Sequence, residues 1–276
     1  MRTSTLVHDD ASRVEYVSIL ASERLARRRD GLVIGAAVAV VAFCLYAVGL
    51  FDVRRLVEGV PAIGQLVGEM MPPDFTRWQS WLRPLLDTLA MSIAGTALAV
   101  TLSLPLAFLA APNTSPHPAV YRIARVVLNF LRSVPELIMG IFFVAAVGFG
   151  ALPGVLALGL HSVGMVGKFF AESIEHVDPK PVEAARAAGA CELQVIVHAV
   201  LPQVLPQFAD TAIYRWEYNF RASTVLGVVG AGGIGFELIA ALRVLQYDQV
   251  AAIMLCILGA VTVVDALGSM LRHRLK

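Results

Sequence analysis

Residues 183–202 read EAARAAGACELQVIVHAVLP, a short polar island with long apolar runs on either side of it. It opens on Glu183 and passes through Ala184, Ala185, Ala187 and Ala188 to Gly189. Alanine is the strongest helix former. Pro181, just ahead of the island, suits a first helical position, where its missing N–H needs no partner. Gly189 permits a sharp break; a second turn begins near Glu192, and Leu201-Pro202 opens the next long helix. The stretch therefore predicts two short helices at an angle, with a nearly bare face of small side chains that another protein's groove can grip. An island of this kind belongs in water at the edge of a bilayer, and that placement organises the rest of the chain.

The composition agrees. Of 276 residues, 57% are hydrophobic and only 16% charged, with mean hydropathy +0.71, which no soluble domain of ordinary make-up reaches. A net charge of +1 offers no bulk attraction to nucleic acid, so no nucleic-acid partner is expected. Cys44, Cys191 and Cys256 form no CxxC pair, which argues against a disulfide framework, and no His, Asp or Cys set has metal-ligand spacing. No small-residue cleavage site follows the first apolar run, so no cleaved leader is expected.

A bilayer crossing needs about 20 apolar residues. The expected fold is all-α and polytopic, with about six transmembrane helices near 32–50, 85–111, 123–148, 153–173, 202–229 and 248–270, and the island's helices over 178–201. This domain, 31–276, follows an N-terminal arm, 1–30, whose stretch 11–29 has the pattern of an amphipathic helix. Arg24, Arg27, Arg28 and Arg29 before the first span, and the basic tail Arg272 to Lys276, place both termini in the cytoplasm. Six spans then put the island in the cytoplasm too. Pro105 is expected to break the second span, and Trp78 and Trp81 to sit in an interfacial belt.

The fifth span is the oddest. Asp210, Tyr214, Glu217, Arg221 and Thr224 follow one another at helical spacing and share a face, with Arg215 and Tyr218 on a neighbouring stripe. Ionisable groups at that depth cost at least about 2.5–3.5 kcal/mol each, so they should face protein or water. Two readings stand side by side: a polar lining to a translocation pathway, or an internal Glu217–Arg221 pair that neutralises itself. In the fourth span His161, Lys168 and Glu172 share a face, and Lys168 is placed to pair with Glu136 of the third. Gly230 to Gly235 fits GxGxxG and Asp248 lies where a ribose-binding acid would be sought, yet Arg215, Glu217 and Arg221 interrupt any strand before it. A flexible outer loop or a close helix crossing is the better account.

With Gly189 and Leu201-Pro202 at its spacing, the island resembles the cytoplasmic coupling motif of ABC importer permeases. One position departs: the family usually has isoleucine two residues before the Leu-Pro, where this chain has Ala199. Together with PPDFTRWQSWL (72–82) and YRWEYNFRASTVLGVVGAGGIG (214–235), the motif makes the chain similar to the phosphonate-type permeases from about Pro72 onward. The resemblance implies an ABC type I importer permease fold in the bacterial inner (plasma) membrane. Its implied partners are a second copy of the chain, two ABC ATPase subunits, an extracytoplasmic substrate-binding protein and the lipid bilayer. It assigns ATPase coupling to Glu183, Ala184, Ala185, Gly189, Leu201 and Pro202. The pathway set carried forward is Asp210, Tyr214, Glu217, Arg221, Thr224, Glu136 and Lys168. No GxxxxGK[ST] occurs, so ATP and Mg belong to the partner ATPase and this chain binds no cofactor. The implied activity is ATP-driven import of phosphonate- or phosphate-like oxyanions by alternating access. Two alternatives stay open: an importer of the amino-acid or methionine type, and an intramembrane enzyme using Asp210, Glu217 or His161 as acid or base.

Overall fold

The structure, a computed structural model, describes Arg27 and residues 29–275. Apart from its last residues, the arm expected at 1–30, including most of the amphipathic stretch 11–29, lies outside them. The described residues form helices and no strand. Two compact units divide between Leu66 and Val67.

In the first unit, α1 (Arg29–Ala47) has a mean hydropathy of 2.1 and exposes its apolar side chains, as a helix meant for lipid does. α2 (Val53–Glu69) begins in this unit and ends in the second, within the excursion between the first two spans. Val53, Val57, Val60 and Ile63 recur along it at helical spacing, and Arg54 pairs with Glu58 at 2.8 Å, one turn on.

The second unit is built around α3 (Trp78–Ala110) and α6 (Ala151–Glu175). α3 runs through Pro84 and Pro105 without ending, so the break expected at Pro105 does not occur. α6 packs closely because its contact face is small. A Cβ on Gly164 would lie 2.5 Å from the backbone nitrogen of Arg132, so only glycine allows α4 (Pro118–Ser133) this near. Leu128, Val166, Phe170 and Ile174 fill the resulting core together with Val204 and Phe208 of α9 (Leu201–Leu226). The Phe170 and Phe208 rings stack at 3.9 Å and 15°.

The third span, expected as one helix over 123–148, is two. α4 and α5 (Glu136–Val147) meet at 85°. Pro135 has no N–H to donate, and its ring forces the preceding residue out of the helical region: Val134 has φ −88° and ψ 118°. Beyond α6 come α7 (Pro179–Ala187), α8 (Glu192–Val195), a π turn (Ile196–Val200) and α9 (Leu201–Leu226). From Glu192 onward the last three form one rod. The π turn falls where Pro202 withholds the N–H that His198 would receive, and Leu201 N–H closes instead on the Ile196 carbonyl, five residues back.

A 3₁₀ turn (Gly227–Val229) leads through the glycines to α10 (Ile234–Arg243), set at 42° to the rod, and α11 (Tyr247–Leu275) completes the chain. A Cβ on Gly235 would run into the Thr224 carbonyl, so this segment is a close helix crossing. Trp81 is buried against Ile234, Val250 and Ile253, which corrects its expected place in an interfacial belt; Trp78 is half exposed. Among the described residues, four helices suit a membrane crossing by length and hydropathy, and six if each of the two bent pairs counts as one span.

Candidate coupling corner and translocation site

The corner forms between α7 and α8. Its helix starts at Pro179, inside the expected 178–201 but two residues ahead of Pro181, because Asp178 caps it: the Lys180 N–H donates to the Asp178 carboxylate at 3.0 Å. α7 ends in a Schellman arrangement. Ala190 N–H reaches the Ala185 carbonyl at 3.1 Å and Gly189 N–H the Arg186 carbonyl at 2.9 Å. Gly189 itself has φ +85° with open space where a side chain would stand, so glycine is there for the turn and not for packing.

Arg186 then closes the corner by gripping Glu192 with two nitrogens, at 3.2 and 3.0 Å. The Glu192 carboxylate raises the already high pKa of this guanidinium, so Arg186 is charged at any working pH. Gln203 ties the corner to the rod: its carbonyl accepts from Asp178 N–H at 2.9 Å and its amide donates to Ala199 at 2.6 Å.

Among the expected coupling residues, Glu183, Ala184, Gly189 and Pro202 are exposed, while Ala185 and Leu201 are half-buried. Ala199 is packed inside, beside Val195 and Val200. Glu183, Val182, Arg186 and Glu192 line a groove of about 360 Å³ whose far wall is Asn113 and Thr114, from the loop between α3 and α4. That loop is fixed to the end of α6 by Asn113, which donates to the Ile174 carbonyl at 2.6 Å, and α4 beyond it is tied to the same end by an Arg125–Glu175 ion pair.

The expected pathway residues are spread over two arrangements. On α9, Asp210 and Tyr214 are exposed and Thr224 is half-buried, its hydroxyl turned back onto the Arg221 carbonyl at 2.7 Å. The expected Glu217–Arg221 pair does not form. α11 lies along this face of α9 and takes both partners: Arg221 pairs with Asp265 at 2.5 Å, and Arg272 stands 2.7 Å from Glu217 in an ion pair whose angles do not make a hydrogen bond. Glu217 is buried against Gly268, where any Cβ would strike its carboxylate. Two ion pairs across a helix interface meet the desolvation demand that one pair within α9 was expected to meet.

Lys168 and Glu136 do not pair either. Lys168 turns to Glu172 of its own helix at 3.4 Å. Glu136 accepts from the Tyr218 hydroxyl at 2.9 Å and faces His161 at 3.4 Å. Arg215, placed on a neighbouring stripe by the sequence, is the centre of a buried network. Its Nε donates to Ser162 at 2.8 Å, Ser162 to Asn219 at 3.0 Å, and Asn219 to Thr96 at 2.9 Å, so α9, α6 and α3 are joined at one level. Arg215 also lies over the Tyr218 ring at 4.2 Å, and its Nη2 is buried without a partner. Ser162, Asn219 and Thr96 were not singled out in the sequence. Their signal was their presence, as small hydrogen-bonding residues, inside apolar helices. Beside this cluster Glu136, Tyr218 and Arg221 line a groove of about 240 Å³.

Residues 103–276 match the family described as "Binding-protein-dependent transport system inner membrane component". The chain is 70% identical over 237 residues, 86% of each chain, to a protein of Stutzerimonas stutzeri named "Phosphite transport system permease protein PtxC". It is 44% identical over 223 residues to the "Phosphate-import permease protein PhnE" of Mycolicibacterium smegmatis, covering 81% of this chain and 42% of that longer one. Among solved structures, an inward-facing form of the MetNI methionine ABC transporter superposes with TM-score 0.64 over 73% of this chain and 99% of its own, at 19% identity, a likeness of fold. The alternative of an intramembrane enzyme falls with these matches, since every named relative is a transport permease. The chain belongs to the inner-membrane permease components of binding-protein-dependent ABC importers.

Proposed function

We propose that this chain forms the membrane channel of an ATP-driven importer for phosphite and related oxyanions of phosphorus, phosphonate and phosphate among them. The observation that carries the substrate class is the 70% identity, over 86% of both chains, to a permease named for phosphite. The importer would consist of two copies of this chain, two ATP-hydrolysing subunits and an extracytoplasmic binding protein, with both termini in the cytoplasm. ATP and Mg act on the partner ATPase, and this chain carries no cofactor of its own.

In this reading the exposed residues of the corner, Glu183, Ala184, Gly189 and Pro202, meet the ATPase, with Ala185 and Leu201 supporting them from below. Arg186 and Glu192 set the angle at which the corner is presented. Closure of two ATPase subunits on ATP pushes the corner, and the rod of α8, π turn and α9 carries the push to the level of Arg215. On the pathway, the exposed half of the Arg221–Asp265 pair, with Asp210, Tyr214 and Thr224, forms a polar strip that lipid would not tolerate and a second copy or water would. An arginine suits the substrate because its planar donors engage two oxyanion oxygens at once, and the Asp265 partner limits how tightly the anion is held.

The test is uptake of radiolabelled phosphite by vesicles containing the full assembly, with phosphate, methylphosphonate and methionine as competitors. Competition by the phosphorus oxyanions and none by methionine is the expected result. Competition by methionine, or phosphite uptake that ignores ATP, would overturn the reading.

A further inference from the structure

The break at Pro135 leaves one carbonyl without a helical partner. α5 makes its first helical bond from Met139 N–H to the Pro135 carbonyl at 3.1 Å, so the Val134 carbonyl, one residue earlier, lies outside the helix ladder. His161 of α6 takes it: Nδ1 is 2.9 Å from that oxygen. The other ring nitrogen, Nε2, is 3.4 Å from Oε2 of Glu136, on the far side of the proline. One imidazole thus bonds one flank of the break and stands at ion-pair distance, without hydrogen-bond geometry, from the other.

The hydrogens in this arrangement are constrained. A carbonyl only accepts, so Nδ1 must carry a hydrogen. In a neutral ring Nε2 then presents a lone pair, and it presents it to a carboxylate oxygen. Without a further proton the two groups repel; with one, as imidazolium and carboxylate or as imidazole and carboxylic acid, they hold together. The second carboxylate oxygen, Oε1, is already occupied by the Tyr218 hydroxyl at 2.9 Å. The charged and titratable groups facing the pair come from α9: Arg215, 4.2 Å over the Tyr218 ring, and Tyr218 itself. α3, packed on α6, carries Arg83 and Asp87 near its start and no other charged or titratable side chain; α4 carries Tyr121, Arg122, Arg125 and Arg132, of which Arg125 is engaged with Glu175. Glu136 is a quarter exposed and lines the groove beside α9, which gives the proton a way to water.

We propose that His161 and Glu136 share one proton that staples the Pro135 break to α6, and that the staple opens when this proton leaves for water, freeing the α4–α5 joint to move. The role in transport rests on the importer reading; the staple itself does not. Both residues are positioning residues: they hold the joint and touch no substrate.

The test uses the assembled transporter in lipid nanodiscs, with spin labels on Ile138→Cys of α5 and Phe169→Cys of α6, both exposed sites. Between about pH 5 and pH 8, where histidine changes charge, the distance distribution should be narrow at the acid end and broaden as pH rises. Glu136→Gln should stay narrow at every pH, because its amide N–H donates to the bare Nε2 while its carbonyl still accepts from Tyr218. His161→Asn keeps a donor for Val134 and has nothing at the Nε2 position, so it should be broad at every pH. A wild-type distribution that ignores pH overturns the proposal, and so does either variant that titrates like the wild type. If one variant fails to fold, the other and the wild type still decide. Substrate-stimulated ATP hydrolysis in the same samples separates the two readings: none at any pH in the wild type would remove the importer role and leave the staple's titration standing.

Discussion

In the corner the polar contacts are short-range: Asp178 reaches Lys180, Arg186 reaches Glu192 six residues on, and the longest, from Gln203 to Asp178, spans 25 positions. Along α9 they are not. Arg215 bonds a residue 53 positions away, Tyr218 one 82 away, Asn219 one 123 away and Arg221 one 44 away. The environments account for the difference. A side chain in water that misses a protein partner finds a water molecule, so exposed contacts form with whatever stands nearby. Inside an apolar layer a missed partner costs a full desolvation penalty, so each polar group must meet another that the fold brings to its level. Local contacts therefore shape the corner, and distant ones decide how the helices are assembled.

The contrast can be broken most severely at Arg215. Arg215→Met removes the donor to Ser162 and the guanidinium over the Tyr218 ring, and leaving buried polar groups unsatisfied costs about 1–3 kcal/mol each. Thermal unfolding in detergent should show a loss larger than for any corner variant, with less folded protein in the membrane. An unchanged melting temperature would mean that the network does not hold α9 to α6. Gly189→Val comes next. Its left-handed backbone imposes about 1–2 kcal/mol of strain, in open space, so the chain should still fold while ATPase co-purification and substrate-stimulated ATP hydrolysis fall together. Normal coupling in this variant would detach the corner from the motor.

Smaller effects sharpen the contrast. Arg221→Gln with Asp265→Asn should show a coupling energy of about 0.5–1 kcal/mol in a double-mutant cycle, whereas Arg221→Gln with Glu217→Gln should be additive to within about 0.3–0.5 kcal/mol. Strong coupling in the second cycle would restore the pair within α9. The smallest change is expected for Glu192→Gln. An exposed pair such as Arg186–Glu192 is weakened by solvent screening, and further as salt rises, so stability should hardly move.

The same division decides what could be read from the residues alone. Glu183, the alanines, Gly189 and the Leu-Pro form a pattern closed within 20 positions, and its turn chemistry is local; the corner was legible almost to its caps. Asp178's cap, and with it two residues of helix before Pro181, the Arg186–Glu192 grip and the Gln203 tie were missed. α9's polar face was legible as a face, since helical spacing is a local property, but its partners were not. Glu217 was matched with Arg221 because four positions apart is the nearest geometry a single helix offers, and nothing in the spacing says that α11 lies alongside with Arg272 and Asp265. The Pro135 break was present as a proline, and its 85° angle depends on α6 standing close enough to hold both limbs. Trp81 was assigned to an interface by residue type, and the packing of α10 over it outweighed that tendency.

The π turn at 196–200 acts on the whole rod as a phase adjuster. An α-helix advances about 100° per residue, and a π turn amounts to one residue more than the α register needs. Every α9 side chain therefore sits about 100° round from where an uninterrupted helix starting at Glu192 would aim it. Deleting a single residue from the turn would leave composition, length and hydropathy nearly untouched, yet it would swing Arg215 off the α6 side and rotate another stripe into its place. The azimuth of the buried charges and the attitude of the corner are thus one quantity, set by the five residues of the turn. A single-residue insertion in the loop between α3 and α4 changes no such angle.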